Sequence, residues 1–456
     1  MLFNSLTFFA LLIPTLALYW LLPWQRARLA LLLFASLIFY GFYHWPSVFL
    51  LLVTIGFNYT VGRMQSRRRS GRLLAAAVAA NISLLFWFKY AAFIADNLNG
   101  ALSLLGVSLS VPRPPVFLPL GISFFTFQVI AYQIDVYRRD IAAERSLLRF
   151  AVFKSFFPQL IAGPIVRAKD FLPQLQNPAR FDAASFHHGL WLVLVGLALK
   201  IGVADVLAQF ANEAFRAPST LSTVGAWMGL YAYGFQLYAD FWGYSTMAVG
   251  FGGLFGLALP LNFDTPYMAA SLQEFWKRWH ITLSIWFRDY IYIPLGGNQR
   301  RQSLNLLVTM ALAGLWHGAG WPFVIWGLGH GLWLSLERRA TGLPAKNNRR
   351  WRCLKIAMVF QGVCLLWVLF RAPTLALAGD YYSRLLLPPF TASGVPQKLY
   401  GWLAIFALVQ WPLAWTLTER RFVALPLKMQ WLLALVCVYL ILAYAGARVD
   451  FIYFTF

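Results

Sequence analysis

Charge is scarce in this 456-residue chain: only 12% of its residues are Asp, Glu, Lys or Arg, about half the share of a soluble domain. Acidic residues are scarcer still, 16 against 38 Lys and Arg, which leaves a formal net charge of +22. A soluble protein this apolar would need one core far larger than single domains build. Three cysteines, Cys353, Cys364 and Cys437, stand singly in or beside apolar runs. No two have metal-binding or redox spacing, so no metal site is expected and they read as small core residues. The sequence lacks a G-x-S-x-G elbow, an H-E-x-x-H pair and a phosphate-binding Gly-rich loop, which speaks against the corresponding hydrolase, metalloprotease and nucleotidase chemistry. It also lacks broken apolar segments in matching halves, the mark of many secondary transporters.

What is present is long apolar sequence, 60% of the residues. Nearly every stretch between polar breaks reaches the roughly 17–25 residues that cross a bilayer. The expected class is an all-α polytopic membrane protein with roughly 11–14 membrane elements. The basic residues fall in short clusters between these runs, Arg26 and Arg28, then Arg63, Arg67, Arg68, Arg69 and Arg72. This is the positive-inside pattern rather than a nucleic-acid surface, and it puts the clusters in the cytoplasm and Met1 outside. The first run, residues 6–22, has no basic leader or convincing cleavage site and reads as a retained span.

Further along, residues 73–94 read as one span and 95–118 as a loop. Residues 156–175 carry Pro158, Gly163, Pro164 and Pro173, so they read as a re-entrant or interfacial segment shielded by protein. Residues 186–215 form a span bearing Lys200 and Asp205, and 231–257 form one bearing Asp240. Residues 272–290 read as one amphipathic helix with Trp276, His280, Leu283 and Phe287 along a face. A Glu274–Arg278 pair is expected on another side.

Six histidines occur, three of them, His280, His317 and His330, in the stretch 274–331. An imidazole inside an apolar run needs a polar partner or a water-filled cavity, which makes it a functional candidate. Neutral imidazole takes a proton from a hydroxyl near neutral pH, as acyl transfer from a thioester to an alcohol requires. By residue type alone a packed structural histidine competes with that reading for His317. Asp240 reads either as a helix-packing acceptor or as a group that orients a catalytic side chain. His187 and His188 are expected at the interface, and His330 in helix packing.

Several motifs resemble the membrane-bound O-acyltransferase (MBOAT) family, in the bacterial branch that serves alginate and cellulose O-acetylation. They are PLGISFFTFQ at 119–128, IDVYR at 134–138, FFPQLIAGPIVR at 156–167, YADFWGYSTMAVG at 238–250, FWKRWHITLSIWFRDYIYIPLGG at 275–297 and GLWHGAGWPFVIWG at 314–327. The resemblance runs over about the whole chain. It implies one transmembrane domain, residues 1–456, with a catalytic core at about 119–340 and tilted helices ringing a central funnel. It places the catalytic histidine at His317 and a second polar position at His280; by the reading of the residues themselves, Asp240 and Trp316 are expected behind them. It implies an acetyltransferase in a bacterial inner membrane that takes acetyl from a cytoplasmic donor, acetyl-CoA. The acceptor implied is an exported polysaccharide such as cellulose or alginate, reached through a periplasmic SGNH-like acetyltransferase and a synthase or export complex.

Lys277, Arg278 and Arg288 are expected to face the donor's phosphates, although topology and lipid headgroups explain them as well. No bound cofactor is expected. The last six residues, FIYFTF at 451–456, resemble the C-terminal motif of the small membrane partner in teichoic acid D-alanylation. If that segment folds back, Tyr453 brings a phenolic hydroxyl to His317 as an acyl relay; interfacial anchoring by aromatics is the alternative. Two other functions stay open at this point, a polysaccharide or lipid flippase and a long-chain lipid acyltransferase.

Overall fold

The computed structural model describes residues 1–115, 117–340, 349–388, 390–392, 394–446, 449 and 451–452. Every regular element among them is a helix. Five helices are long and apolar enough to cross a membrane: Pro46–Arg67, Gly71–Lys89, Ala183–Arg216, Arg349–Arg371 and Leu427–Tyr444. Leu6–Leu21 is apolar but shorter. The chain divides into two compact units, residues 1–186 with 251–260, and residues 187–250 with 261–456.

In the first unit, Phe3, Phe8, Phe39, Phe157 and Phe251 form one aromatic core, with ring centroids 4.9–5.8 Å apart. Amides join three helices. Asn58 on Pro46–Arg67 and Asn81 on Gly71–Lys89 exchange side-chain hydrogen bonds of 3.0 Å. Gln133 on Ile122–Arg138 donates to the Asn58 carbonyl at 2.7 Å. The proline-interrupted segment is broken as expected. One turn, Phe157–Leu160, gives way to irregular backbone, then Ala168–Phe171 and a 3₁₀ turn, Leu172–Leu175. Residues 156–166 are buried throughout, which satisfies the rule that irregular backbone at membrane depth needs protein cover. Gly121, at φ 71°, backs onto it, and a Cβ there would lie 2.5 Å from the Leu160 carbonyl oxygen.

One expectation changes in this unit. Residues 73–94 are not a single span, because the helix stops at Lys89 and a second, Ala91–Leu104, covers much of the expected loop. Asn99 holds the chain beyond that helix by bonding both the N–H and the carbonyl of Val111, at 2.7 and 2.9 Å.

In the second unit the helices approach closely at glycines. On the Ala183–Arg216 and Thr223–Leu254 helices, a Cβ at Gly196 would meet the Gly243 carbonyl at 2.6 Å, and one at Gly243 the Gly196 carbonyl at 2.7 Å. Gln302–His317 and Trp321–Ala340 make the tightest pair: a Cβ on Gly314 would collide with the Phe323 carbonyl, and one on Gly327 with the Met310 carbonyl. This is the small-residue packing that membrane helices use. Cys364 and Cys437 are buried here, but Cys353 is exposed, against the expectation of three core cysteines.

The expected single helix over residues 272–290 is also corrected. It breaks into Leu272–Arg278 and Ile281–Phe287, with His280 in the left-handed region at φ 41° and a π-turn at Arg288–Tyr292. Asn262 explains the break. Its carbonyl accepts the Ile281 N–H at 2.9 Å, its Oδ1 accepts the Thr282 hydroxyl at 2.7 Å, and the nearby Asp264 N–H donates to the Arg278 carbonyl at 3.0 Å. The freed helix-end groups therefore find partners away from the helix axis. Extrapolated helical spacing does not carry across residue 280.

Candidate active site

His317 is the last residue of its helix, where Gly318 leaves in an extended conformation. Its ring stands edge-on to Trp316, Trp326 and Phe370, with centroids at 4.9, 5.3 and 5.0 Å. His280 reaches the same cluster from the helix break. Its ring is 6.5 Å from that of His317, 6.0 Å from Trp316 and 4.6 Å from Phe241. Both histidines are buried. The sequence places them 37 positions apart (317 − 280); the left-handed turn at His280 helps bring the rings together.

His330 belongs to the same aromatic cluster. It contacts Trp326 at 4.8 Å and Trp276 at 5.1 Å, so Trp326 is shared between His317 and His330. His330 is completely buried, and neither ring nitrogen has a hydrogen-bond partner among the described residues. That environment suits a packed neutral ring. His187 lies at the start of the unit against Phe422, at 5.3 Å.

A cavity of about 590 Å³ lies beside this cluster. Its wall includes Trp276, which touches His330; Ile281, which follows His280; and Ala313, one helical turn before His317. Lys277 and Arg288 line it, as does Arg338. Arg278 does not; it is taken by Glu274 at 2.7 Å and by Thr265 Oγ1 at 3.2 Å. The structure therefore joins two of the three expected cations to the cavity and adds Arg338. Its signal was a cation two helical turns beyond His330, easily absorbed into the basic stretch that follows.

Asp240 holds a different contact set. Lys200 sits 2.7 Å from Asp205 and 2.9 Å from Asp240, with all three side chains at most 3% exposed. The second Asp240 oxygen accepts the Ile452 N–H at 2.8 Å, and Lys200 donates to the Val449 carbonyl at 3.0 Å. Phe451 is buried and stacks on Tyr244 at 4.2 Å. Asp240 thus ties Ile452 into the unit, while its neighbour Phe241 packs against His280. A π-helical stretch, Ala198–Ala204, carries Lys200. The cue in sequence was one cation and one carboxylate inside an apolar run. Tyr453 lies outside the described residues. Among the described residues no cluster of His, Cys, Asp and Glu is grouped to hold a metal.

Fold and site together define a polytopic all-α membrane protein with buried imidazoles set beside a cavity of mixed apolar and cationic lining. The chain belongs to the MBOAT, membrane-bound O-acyltransferase family, whose model matches residues 138–372, and it is an O-acyltransferase. A probable alginate O-acetylase from Pseudomonas putida is 42% identical over 396 residues, covering 84% of this chain and 80% of the relative. The peptidoglycan O-acetyltransferase of Helicobacter pylori is 39% identical over 75% of this chain and 71% of its own length. The teichoic acid D-alanyltransferase of Streptococcus thermophilus is 29% identical, over 55% of this chain and 68% of its own.

Proposed function

We propose that this chain moves acetyl groups across a bacterial inner membrane for O-acetylation of an exported polysaccharide, with acetyl-CoA as the cytoplasmic donor. The observation that carries the reading is the pair of buried rings, His280 and His317, 6.5 Å apart, beside a cavity lined by Lys277, Arg288 and Arg338. Guanidinium and ammonium groups suit the phosphates of a coenzyme A thioester, and the apolar wall suits the acyl-bearing arm. His317 acts as general base, and His280 orients it or binds the donor. Trp316 packs against both rings. The names of the relatives, alginate O-acetylase among them, support a polysaccharide acceptor; alginate is one such polymer and cellulose another. A periplasmic SGNH-like acetyltransferase and the polymer's synthase or export complex complete the route.

In this reading Tyr453 is the relay. Its hydroxyl oxygen attacks the acetyl carbonyl carbon while His317 accepts the phenolic proton. The C–S bond breaks, the thiolate leaves and takes the proton back, and an acetyl-tyrosine ester passes to the periplasmic partner. The docking of Val449 on Lys200 and of Ile452 on Asp240 supports a tail held inside the unit.

The test is polymer acetylation in cells carrying His317→Ala or Tyr453→Phe, each checked for membrane insertion. Both should abolish acetylation. Full acetylation with His317→Ala would overturn the enzymatic role of that ring; full acetylation with Tyr453→Phe alone would make Tyr453 an anchor and leave the His317 reading intact.

A further inference from the structure

The first unit contains a second cavity, of about 410 Å³, lined by Arg63, Gln65, Ser66, Arg69, Val136, Arg139, Ile141, Ala142, Ala143 and Arg145. Four of these are arginines and none is acidic. Asp135, Asp140 and Glu144 each adjoin a lining residue in sequence, but none is in the wall, and the Glu144 Oε1 accepts from Arg149 at 2.7 Å and from the Ser146 N–H at 2.7 Å. Four guanidiniums around one space, with no carboxylate in its wall, make a positive field that attracts an anion.

The walls are held rigidly. A Cβ on Gly62 would lie 2.7 Å from the Tyr132 ring, so the Pro46–Arg67 and Ile122–Arg138 helices meet with no slack beside the cavity. The Tyr132 hydroxyl accepts the Glu144 N–H at 3.1 Å, and the Tyr59 hydroxyl donates to the Arg145 carbonyl at 2.7 Å. Gln65 clamps both the N–H and the carbonyl of Ser70 at 3.0 Å. Arg69 is propped over the Tyr137 ring at 4.6 Å. Arg139 adopts φ 68° at the end of its helix, a conformation costly for a residue with a Cβ and tolerated where the surroundings impose it.

We propose that this cavity binds clustered phosphate: a group carrying two or more phosphate charges close together, held by Arg63, Arg69, Arg139 and Arg145. Guanidinium forks bind phosphate oxygens in pairs, and the volume lies within the ordinary range for small-ligand sites. The same chemistry is offered by a multiply charged lipid headgroup, in the leaflet that meets the arginine-rich end of Pro46–Arg67, and by a soluble diphosphate.

The test uses the full-length chain in two arms. In phosphatidylcholine nanodiscs it is titrated with pyrophosphate by calorimetry; in neutral detergent it is titrated with tetraoctanoyl cardiolipin by native mass spectrometry. Arg139→Gln/Arg145→Gln is compared with Arg67→Gln/Arg68→Gln; all four arginines are exposed, but only the first pair lines the cavity. Arg145→Gln alone serves if the Arg139 change perturbs folding. We expect saturable binding of one probe, weakened at least about tenfold by the cavity pair, the scale of lost charge-assisted hydrogen bonds, and by less than about twofold in the control. Binding of pyrophosphate identifies a soluble ligand, and binding of cardiolipin alone a lipid one. Failure of the wild type to bind either probe saturably, or equal weakening in both variants, would overturn the proposal and leave these arginines a topological charge cluster.

Discussion

The two units differ in the buried polar groups that join their helices. In the first, Asn58, Asn81 and Gln133 join three helices with neutral amides, each bonded to another or to backbone. That unit also buries Lys154, over the Phe125 ring at 5.1 Å, whereas in the second the helices bury an ion cluster, Lys200 with Asp205 and Asp240, and four imidazoles. Neutral amides cost little to bury once hydrogen-bonded, and they contribute modestly to helix association. Ionised groups are expensive to desolvate and are seldom kept without a task. The contrast is between helices joined by amides and helices that enclose the imidazoles of the candidate site and an ion cluster bonded to Val449 and Ile452.

The largest effect that would sharpen this contrast lies at the histidines. His317→Ala should lower acetyl transfer by about 10²–10⁴-fold, the usual contribution of a general base. His280→Ala should cost less, and His330→Phe, which preserves an aromatic ring among Trp276 and Trp326, less again. Turnover by purified enzyme ranks them; a His330→Phe variant as inactive as His317→Ala would break the division of roles within the cluster.

Next comes the ion cluster. Lys200→Met strands two carboxylates and should destabilise the protein by about 3–5 kcal/mol, the scale for removing one partner of a buried pair. Adding Asp205→Asn and Asp240→Asn should restore much of that loss. Thermal unfolding in detergent measures both, and protease cleavage within the tail should rise in Lys200→Met as the Val449 and Ile452 contacts loosen.

A smaller change is expected at the cavity. Lys277→Gln, Arg288→Gln and Arg338→Gln together should raise KM for the acyl-CoA donor about tenfold or more, through lost charge-assisted contacts, with kcat changed less. Arg278→Gln should leave KM unaltered, since Arg278 does not line the cavity and braces Glu274 and Thr265 instead. A KM shift for Arg278→Gln equal to that of the triple variant would remove the distinction between lining and bracing cations.

The smallest effect belongs to the amide unit. Asn58→Ala should cost about 1–2 kcal/mol of thermal stability, the range for an interhelical side-chain hydrogen bond in a membrane protein, and leave transfer unchanged once the protein is folded. A loss of activity at full stability would show that the first unit's amides do more than pack.

Much of this was legible in the residues. Apolar runs between basic clusters determine an all-α membrane chain, because backbone polar groups in lipid must bond within their own segment. Gly314 announced a close helix contact, since only a missing side chain lets backbones meet so tightly. His317 and His280 were singled out because an imidazole is costly in an apolar run. Tertiary structure alone decided where these groups point. The break at His280 is set by Asn262, 18 positions away (280 − 262), so helical periodicity could not foresee it. The commitment of Asp240 to Lys200 and Ile452 rather than to packing alone, and the entry of Arg338 into the cavity, depend on which distant segments meet. Periodicity along a chain records which faces are apolar; which polar atom satisfies which buried charge is settled when those faces pack.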